Sequence, residues 1–547
     1  MDEGAQAFNI VSEHQPPEKE HGSVARDALT HNIGIDVIAR VGYIVSRIFI
    51  PPFVLARLDL ATYSLWSAVF LVVSYVGMTS FGFSSAYVRY VAEYAGRGET
   101  NKANSILSTG LVLSSVVCVF FLGLLTLGMP AVVSWLNVPP RLQNDARQVI
   151  LVVVGIHACG IALSVFSASL IGCQKVAHAQ AIWIVSYVTE AALIFILVGT
   201  GHGIWGLAEA FVIRELIAIG LAALLAYQLV PWLSIAPWRC TRKALRELIN
   251  FGGVIQFDSL LVTALNTFER VIAAPLVGLE AVGLLDIGDK LPNMAGSIPT
   301  AFATSFLPAA AYLQGGLAGT RQGRETIAKL YIKGSRYMTL AASSLTGLLA
   351  TASAPLLAVW IGRIYPGTAF LMTIFAIQQH AHLMTGPGTS ILRGVGRPWA
   401  EFVYTVPNFI VLAVALPLSR LILGRWSAVG LGSAVVVATV VSAATFIVHA
   451  NRIFEVPLRR YLKFVVMPSL LPYLIGGLCM LPTWTLVLHA GRWRGAAIMG
   501  GILLVYSFIM LIAIDRLILQ SDERAWFRAV IHRELRVLFG RFSPGRR

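Results

Sequence analysis

The stretch Asp36–Pro51, DVIARVGYIVSRIFIP, carries charge inside an otherwise apolar run. At about 100° per residue, Asp36, Arg40 and Arg47 fall on one face of a helix. Each Asp or Arg in the middle of a span costs about 2.5–3.5 kcal/mol on insertion scales, whereas each large apolar residue returns only about 0.3–0.6 kcal/mol. The stretch therefore predicts a membrane-spanning helix whose charged face meets water or polar partners rather than lipid.

Composition places the rest of the chain in the membrane as well. Of the 547 residues, 56% are hydrophobic and only 13% are charged, which excludes an ordinary soluble domain. Apolar runs long enough to cross a bilayer recur from about residue 32 to about residue 519. We predict an all-α polytopic membrane protein with fourteen transmembrane helices.

The distribution of basic residues predicts orientation. Lys and Arg concentrate on the side of the membrane that would hold both termini, which is the positive-inside pattern. We expect both termini to be cytoplasmic, with the basic loops against anionic lipid headgroups. The net charge of +15 therefore needs no nucleic acid partner.

An internal repeat divides the predicted helices. Arg47 followed by Pro51 matches Arg270 followed by Pro275. Further matches recur at nearly the same spacing: Glu99 with Glu325, Gly172 with Gly394, and Gly206 with Gly430. Both halves start on the cytoplasmic side, which predicts two parallel six-helix repeats plus two extra C-terminal helices. The predicted segments are a cytoplasmic tail (1–31), a first six-helix lobe (32–230), a cytoplasmic linker (231–250), a second six-helix lobe (251–450), two additional transmembrane helices (451–519) and a basic cytoplasmic tail (520–547).

Polar faces also mark the first two helices of the second half. The side chains that share these faces are Asp258, Asn266, Glu269, Arg270, Asp286, Asp289, Lys290 and Asn293. One interpretation is a set of internal ion pairs, such as Asp286 with Lys290 one helical turn later. The preferred interpretation is a hydrated cavity between the two halves, because ion pairs alone need not cluster at the start of each half.

The basic residues suit an anionic cargo. Arginine binds phosphate through two parallel hydrogen bonds and keeps its charge at any working pH. The candidate substrate-binding residues are Arg40, Arg47, Arg270, Lys290, Asn266 and Asn293. The candidate ion-coupling residues, for a proton or a sodium ion, are Asp258, Glu269, Asp286 and Asp289. We expect no catalytic residue, no metal site and no cofactor, since no such constellation or phosphate-binding loop is recognisable.

Other polar positions give weaker signals. Glu190, Glu209, Arg214 and Glu215 could equally be internal pairs or functional groups. His380 and His382 are more typical of packing than of proton transfer. Gly386-Pro387-Gly388 predicts a break in its helix, and Pro292 and Pro299 predict kinks in theirs.

Short motifs near the N-terminus carry a family resemblance. Leu55-Ala56-Arg57-Leu58, Tyr63-Ser64-Leu65-Trp66 and Phe81-Gly82-Phe83-Ser84-Ser85-Ala86 resemble the pattern of Wzx-type polysaccharide flippases. That family belongs to the superfamily that also holds multidrug/toxin extruders and lipid II flippases. Ser64 stands where the family pattern usually has glycine.

The resemblance implies two six-helix lobes around a cationic cavity that alternates between inward- and outward-facing states. It implies a polyprenyl-diphosphate-linked glycan as cargo, moved from the cytoplasmic to the periplasmic leaflet, with a polysaccharide polymerase and chain-length machinery as partners. The cavity arginines of the family would fall on Arg47 and Arg270, with Arg40 and Lys290 as further candidate positions. The two extra helices would shelter the lipid tail.

Three alternatives stay open. A lipid II flippase is the nearest, and an extruder of cationic drugs would need acidic rather than basic cavity residues. A membrane glycosyltransferase or polymerase would need a large outer loop with paired acids or arginines, and the predicted outer loops are short.

Overall fold

The computed structural model describes residues 46–303 and 320–518, together with residues 306, 310, 313 and 524. In these residues every regular element is helical. The first eight long helices are α1 (Ser46–Leu55), α2 (Leu60–Gly96), α3 (Thr100–Trp135), α4 (Gln143–Ala162), α5 (Ser164–Gly172), α6 (Val176–Gly199), α7 (Gly203–Leu229) and α8 (Arg242–Leu276). The next eight are α9 (Leu279–Ala303), α10 (Arg321–Thr351), α11 (Ser353–Trp360), α12 (Thr368–Gly394), α13 (Phe402–Leu423), α14 (Ala428–Ile453), α15 (Met467–Leu486) and α16 (Arg492–Ala513).

The described part of the chain holds nine helices that are long and apolar enough to cross a membrane, or ten if the bent pair α10–α11 is one span. The all-helical membrane class predicted from composition is therefore confirmed. The predicted count of fourteen spans, the repeat and the domain boundaries stay predictions. Arg40, Asp36 and both predicted tails lie outside the described residues, apart from residue 524.

The chain forms two compact units. Among the described residues, unit 1 comprises the chain up to Ile50, Val72–Met129 and Arg147–Thr263. Unit 2 comprises Pro51–Leu71, Pro130–Ala146 and the described residues from Ala264 onward. The unit boundaries therefore fall inside helices such as α2 and α8 rather than only in loops.

Unit 1 is held by close packing between helices. Its buried core includes Tyr87, Leu107, Leu170 and Leu248. A Cβ on Gly172 would lie 2.7 Å from the Val91 side chain, so α5 approaches α2 at a distance that only glycine permits. Small residues at such contacts let membrane helices gain dispersion energy where the hydrophobic effect is weak.

Within unit 1, hydrogen bonds attach the segment that connects α7 and α8 to helix α3. Asn104 donates from Nδ2 to the Trp232 carbonyl at 2.9 Å, and its Oδ1 accepts from the Ser234 amide at 2.8 Å. The Ser108 hydroxyl accepts from the Ala236 amide at 3.0 Å. These bonds satisfy backbone groups that would otherwise be orphaned, so the segment predicted as a linker is anchored where it leaves α7.

In unit 2, α15 and α16 attach to α10. The Tyr473 hydroxyl lies 3.1 Å from the Thr346 hydroxyl, and the Tyr506 hydroxyl donates to the Ser344 carbonyl at 2.7 Å. An apolar core beside these contacts includes Ala352, Met480, Met499, Tyr506 and Met510. The two C-terminal helices are therefore packed into unit 2 through both apolar and polar contacts.

A sharp bend of 77° separates α10 from α11. A bend interrupts the helical hydrogen bonds and frees backbone carbonyls, which must find other donors at membrane depth. Thr373 donates to the Ala350 carbonyl at 3.0 Å, and Trp484 Nε1 donates to the Thr351 carbonyl at 3.1 Å. At the other end of α11, Arg492 Nη2 donates to the Trp360 carbonyl at 2.8 Å.

The predicted break at Gly386-Pro387-Gly388 is wrong, because α12 runs through it without interruption. A Cβ on Gly388 would lie 3.1 Å from the Phe446 ring and 3.3 Å from the Tyr331 ring, so glycine serves close packing here. Pro292 and Pro299 lie inside the single helix α9, and their predicted kinks stay predictions. Neighbouring helices and local adjustments accommodate proline inside membrane helices.

Candidate functional site

Of the charged residues in Asp36–Pro51, the structure describes Arg47, and its side chain contacts a carboxylate on another helix. Its Nη2 donates to Oε2 of Glu190 on α6 at 3.0 Å. Glu190 is 2% exposed, so this carboxylate is buried and paired. The predicted substrate-binding residue and a weaker candidate of the sequence analysis therefore belong to one arrangement.

The arrangement continues along α7 and α4, and we call it the first charge cluster: Arg47, Glu190, Arg214, Glu215 and His157. Arg214 Nε lies 3.8 Å from Glu190 Oε2, and its Nη2 donates to Glu215 Oε1 at 2.6 Å. His157 Nδ1 lies 3.1 Å from the same Glu215 oxygen. All five residues belong to unit 1.

Aromatic rings line the arginines of the first charge cluster. The Tyr187 ring centroid lies 5.5 Å from Cζ of Arg47 and 4.8 Å from Cζ of Arg214. Phe211 lies 4.3 Å from Cζ of Arg214 on the same helix. Ring faces stabilise guanidinium groups and restrict their rotation, so the two cations are held in defined positions.

A second charge cluster lies in unit 2 and consists of Glu269, Arg270, Asp286, Asp289 and Lys290. Arg270 Nη2 lies 2.5 Å from Asp289 Oδ2, and its Nη1 lies 3.5 Å from Asp286 Oδ1. Its Nε lies 3.5 Å from Glu269 Oε1. Lys290 Nζ lies 2.9 Å from Asp286 Oδ2, one helical turn away on α9. This last ion pair is the one that the helical spacing offered as the alternative to a hydrated cavity, and it is present.

The start of α2, which belongs to unit 2, adds hydroxyl donors to this cluster. Tyr63 donates to Asp286 Oδ2 at 2.7 Å, and Ser67 donates to the same atom at 3.3 Å. A Cβ on Gly283 would lie 2.1 Å from Oγ of Ser64, so α9 approaches α2 closely beside these bonds. Asp286 is therefore the most fully satisfied acid of the cluster.

With every group ionised, the second charge cluster holds three carboxylates and two cations. Buried charges without a partner are costly, so an excess carboxylate favours binding of a proton or a metal cation. The predicted ion-coupling residues Glu269, Asp286 and Asp289 are brought together here with Arg270 and Lys290. Their role stays a prediction.

The other residues predicted as site residues lie outside the two charge clusters, or their side chains are not among those that the structure describes. Asn293 is exposed on α9, whereas Asp258 and Asn266 lie on α8 with side chains outside the described residues. His380 and His382 contact tyrosines, with Nδ1 of each 3.1 and 3.0 Å from the hydroxyls of Tyr473 and Tyr404. These contacts are typical of packing within a helix bundle.

Sequence reasoning missed three members of these clusters: His157, Tyr63 and Ser67. His157 is a lone histidine in the apolar run of α4, and that signal alone could have identified it. Tyr63 and Ser67 are one turn apart on α2, the spacing of two side chains on one face. Nothing in that spacing shows that their partner is Asp286 on α9.

The fold and its two buried charge clusters define a class: an all-helical membrane protein with charged groups buried among its helices. A sequence family described as polysaccharide biosynthesis protein matches residues 35–314. The match spans just over half of the chain, and the chain belongs to this family. The resemblance to polysaccharide flippases predicted from the motifs is thereby confirmed.

Individual proteins and solved structures are also similar to this chain. The chain is 22% identical over 355 residues to the uncharacterized membrane protein EpsK of Bacillus subtilis strain 168, covering 63% of this chain and 68% of that protein. Among solved structures, the lipid II flippase MurJ in an inward closed conformation matches with a TM-score of 0.63 at 11% identity, covering 90% of this chain and all of that one. An inward-facing multidrug resistance MATE transporter of the MOP superfamily matches with a TM-score of 0.62 at 12% identity, covering 76% of this chain and 98% of that one.

Proposed function

We propose that this protein is a flippase that moves a polyprenyl-diphosphate-linked oligosaccharide from the cytoplasmic to the periplasmic leaflet by alternating access. Its place is the bacterial inner membrane, with both termini cytoplasmic, where a polysaccharide polymerase and chain-length machinery would consume the cargo. Membership of the polysaccharide biosynthesis family supports a glycan cargo. The buried arginines support a diphosphate headgroup.

One observation carries the proposal most directly. The Arg270 guanidinium contacts acids through both Nη atoms, whereas its buried Nε lies 3.5 Å from Glu269 Oε1 and has no hydrogen-bond partner in the part of the chain that the structure describes. Nε itself is buried, and the 21% exposure of the side chain lies on its other atoms, through which an incoming ligand reaches the guanidinium. A diphosphate oxygen is a strong acceptor for such a donor. Arg47 is the corresponding cation of unit 1, at 17% exposure.

Ion coupling follows from competition for the same guanidinium. The carboxylates of Asp289 and Asp286 keep Arg270 compensated when no cargo is bound. A proton or sodium ion on a carboxylate weakens its hold on Arg270, which then binds phosphate more tightly. The bound ion and the bound cargo therefore favour each other, as reciprocal linkage requires.

A lipid II flippase is the second candidate. The lipid II flippase structure covers 90% of this chain, compared with 76% for the multidrug transporter, which favours a lipid-linked cargo over a drug. Both flippase candidates use the same headgroup chemistry and differ in the sugar. Mass spectrometry of the lipid-linked glycans that accumulate in cells lacking the protein separates them.

The test combines Arg47→Ala with Arg270→Ala. Each charge-assisted hydrogen bond contributes about 1.5–3 kcal/mol, so we expect cargo binding to weaken about tenfold or more for each arginine. The lipid-linked glycan should stay on the cytoplasmic leaflet, measured by its accessibility to an impermeant reagent, while the protein inserts normally. The matched control is Arg57→Ala with Arg420→Ala, because both arginines are exposed. Normal glycan export by the Arg47/Arg270 variant contradicts the assignment.

A further inference from the structure

The first charge cluster ends in a group that the proposed function does not use, the His157–Glu215 pair. We propose that this pair binds a proton and thereby controls how strongly Arg214 and, through Glu190, Arg47 bind the anionic headgroup. The proposal rests on the proposed function for the nature of the headgroup. It assigns the proton to unit 1, whereas the predicted ion-coupling residues lie in the second half.

A single oxygen atom is the centre of the pair. Glu215 Oε1 accepts from Arg214 at 2.6 Å and lies 3.1 Å from His157 Nδ1. A proton placed between His157 and Glu215 draws the carboxylate towards the histidine and reduces its compensation of Arg214. Histidine is the side chain best suited to exchange a proton in the physiological range.

The helices around the pair leave room for it. A Cβ on Gly160 would lie 2.9 Å from Glu215 Oε2, and a Cβ on Gly77 would lie 3.3 Å from His157 Nε2. Both glycines lie in helices, where glycine is unfavourable by about 1 kcal/mol relative to alanine. Their presence on α2 and α4 is explained by the space that the carboxylate and the imidazole occupy.

Charge balance gives the direction of the effect. In the described part of unit 1, the charged groups that face the pair are Arg214 on α7, Glu190 on α6 and Arg47 on α1. With neutral histidine, two arginines balance two glutamates. One added proton leaves an excess positive charge in a buried site, which an anionic headgroup compensates.

Arg214 offers the route from the proton to the ligand. It is 9% exposed, and its Nε has no hydrogen-bond acceptor among the described residues. The same Nε lies 3.8 Å from Glu190, the carboxylate that also accepts from Arg47. Weaker attachment of Arg214 to Glu215 therefore changes the donor set of both arginines at once.

The experiment measures proton uptake by the full-length protein in lipid nanodiscs, with undecaprenyl diphosphate as the probe. Calorimetry in two buffers of different ionisation enthalpy gives the number of protons bound with each headgroup. We expect Glu215→Gln to bind about one proton fewer than the wild type, and His157→Gln to match it. Because this pair takes up one proton with the ligand, the affinity of the wild type for undecaprenyl diphosphate should rise by up to about tenfold for each unit that the pH falls. Both variants should lose this part of the pH dependence. Glu209→Gln, an exposed position on the same helix, is the control and should behave as the wild type.

Gly160→Ala provides a second test that removes no charge. The new methyl group displaces the Glu215 carboxylate, so proton uptake should fall even though every ionisable group is present. This variant tests the proposal if Glu215→Gln fails to fold, which thermal unfolding would reveal. Wild-type proton uptake in folded Glu215→Gln or Gly160→Ala overturns the inference, as does uptake that only Asp289→Asn abolishes. A wild-type protein that binds no undecaprenyl diphosphate at any pH refutes the proposed function as well.

Discussion

Arg270 and Asp289 form the shortest contact of the second charge cluster, with Nη2 of the arginine 2.5 Å from Oδ2 of the aspartate on the following helix. Asp286 and Glu269 each lie 3.5 Å from the same guanidinium. Asp289 is therefore the acid that competes most directly with a ligand for Arg270. Asp286 is occupied by Lys290 and Tyr63 as well.

The variant Asp289→Asn should bind the headgroup more tightly and respond less to the coupling ion. Loss of a charge-assisted bond of about 1.5–3 kcal/mol frees Arg270, so headgroup affinity at neutral pH should rise by roughly tenfold. Glycan translocation in proteoliposomes, driven by an imposed proton or sodium gradient, should become independent of the coupling ion. Glu280→Gln, exposed in the first turn of the same helix, is the control. A full pH and sodium response in Asp289→Asn removes Asp289 from the coupling role.

The variant Gly283→Ala should destabilise unit 2. Its Cβ would lie 2.1 Å from Oγ of Ser64, which forces α9 and α2 apart at an estimated cost of about 1–3 kcal/mol. Thermal unfolding in detergent measures this cost. Gly155→Ala is the matched control, since its Cβ would meet no atom within 4 Å. Ser64→Gly in the same chain should restore much of the stability, and purely additive effects of the two substitutions would contradict direct contact.

A pH-dependent contribution to stability is expected from Asp59, in the loop before α2. Burial raises the pKa of this carboxyl, but hydrogen bonds from Thr62 and Arg141 outweigh that effect and hold the pKa below its usual value. The stabilisation that the ionised Asp59 gives the folded state is therefore complete at pH values above the pKa of the carboxyl in the unfolded chain, about 4. It disappears as the pH falls through the lower pKa of the folded state.

The substitution Asp59→Ala should lower the free energy of unfolding by about 1 kcal/mol, mainly because Asp59 Oδ1 accepts a hydrogen bond from the Thr62 amide and so caps the N-terminus of α2. The ion pair with Arg141 is exposed and adds little. Asp59→Asn separates the two effects, since it keeps the cap and removes the charge. Unfolding measured from neutral to acidic pH should show a pH response at this site in the wild type and none in Asp59→Asn; an unchanged response in Asp59→Asn would exclude Asp59 as its source.

Local features of these clusters could be predicted from the sequence because helical periodicity relates residues one turn apart. The spacing of Asp286 and Lys290 offered an ion pair as the alternative to the preferred hydrated cavity, and the structure contains that pair. The polar faces of α8 and α9 were likewise visible as Asp, Glu and Arg at helical spacing. The family was predicted from a different kind of signal, the resemblance of short motifs near the N-terminus to those of known flippases.

The long-range partners could not be predicted, because they depend on which helices become neighbours. Arg47 and Glu190 are 143 residues apart, and Tyr63 and Asp286 are 223 residues apart. The motif Gly386-Pro387-Gly388 also led to a wrong prediction. Pro387 was predicted to break its helix, but α12 continues through it, and Gly388 lies close to the rings of Phe446 and Tyr331.

The bend between α10 and α11 has a consequence for how the protein is made. Its Thr351 carbonyl bonds to Trp484, which follows it by 133 residues in the chain. At a synthesis rate of about 5–20 residues per second, the indole leaves the ribosome roughly 7–27 s after the carbonyl. Thr373 reaches the neighbouring Ala350 carbonyl much earlier. Biogenesis of this span is therefore staged, and its bend is completed only when the C-terminal helix pair arrives in the bilayer.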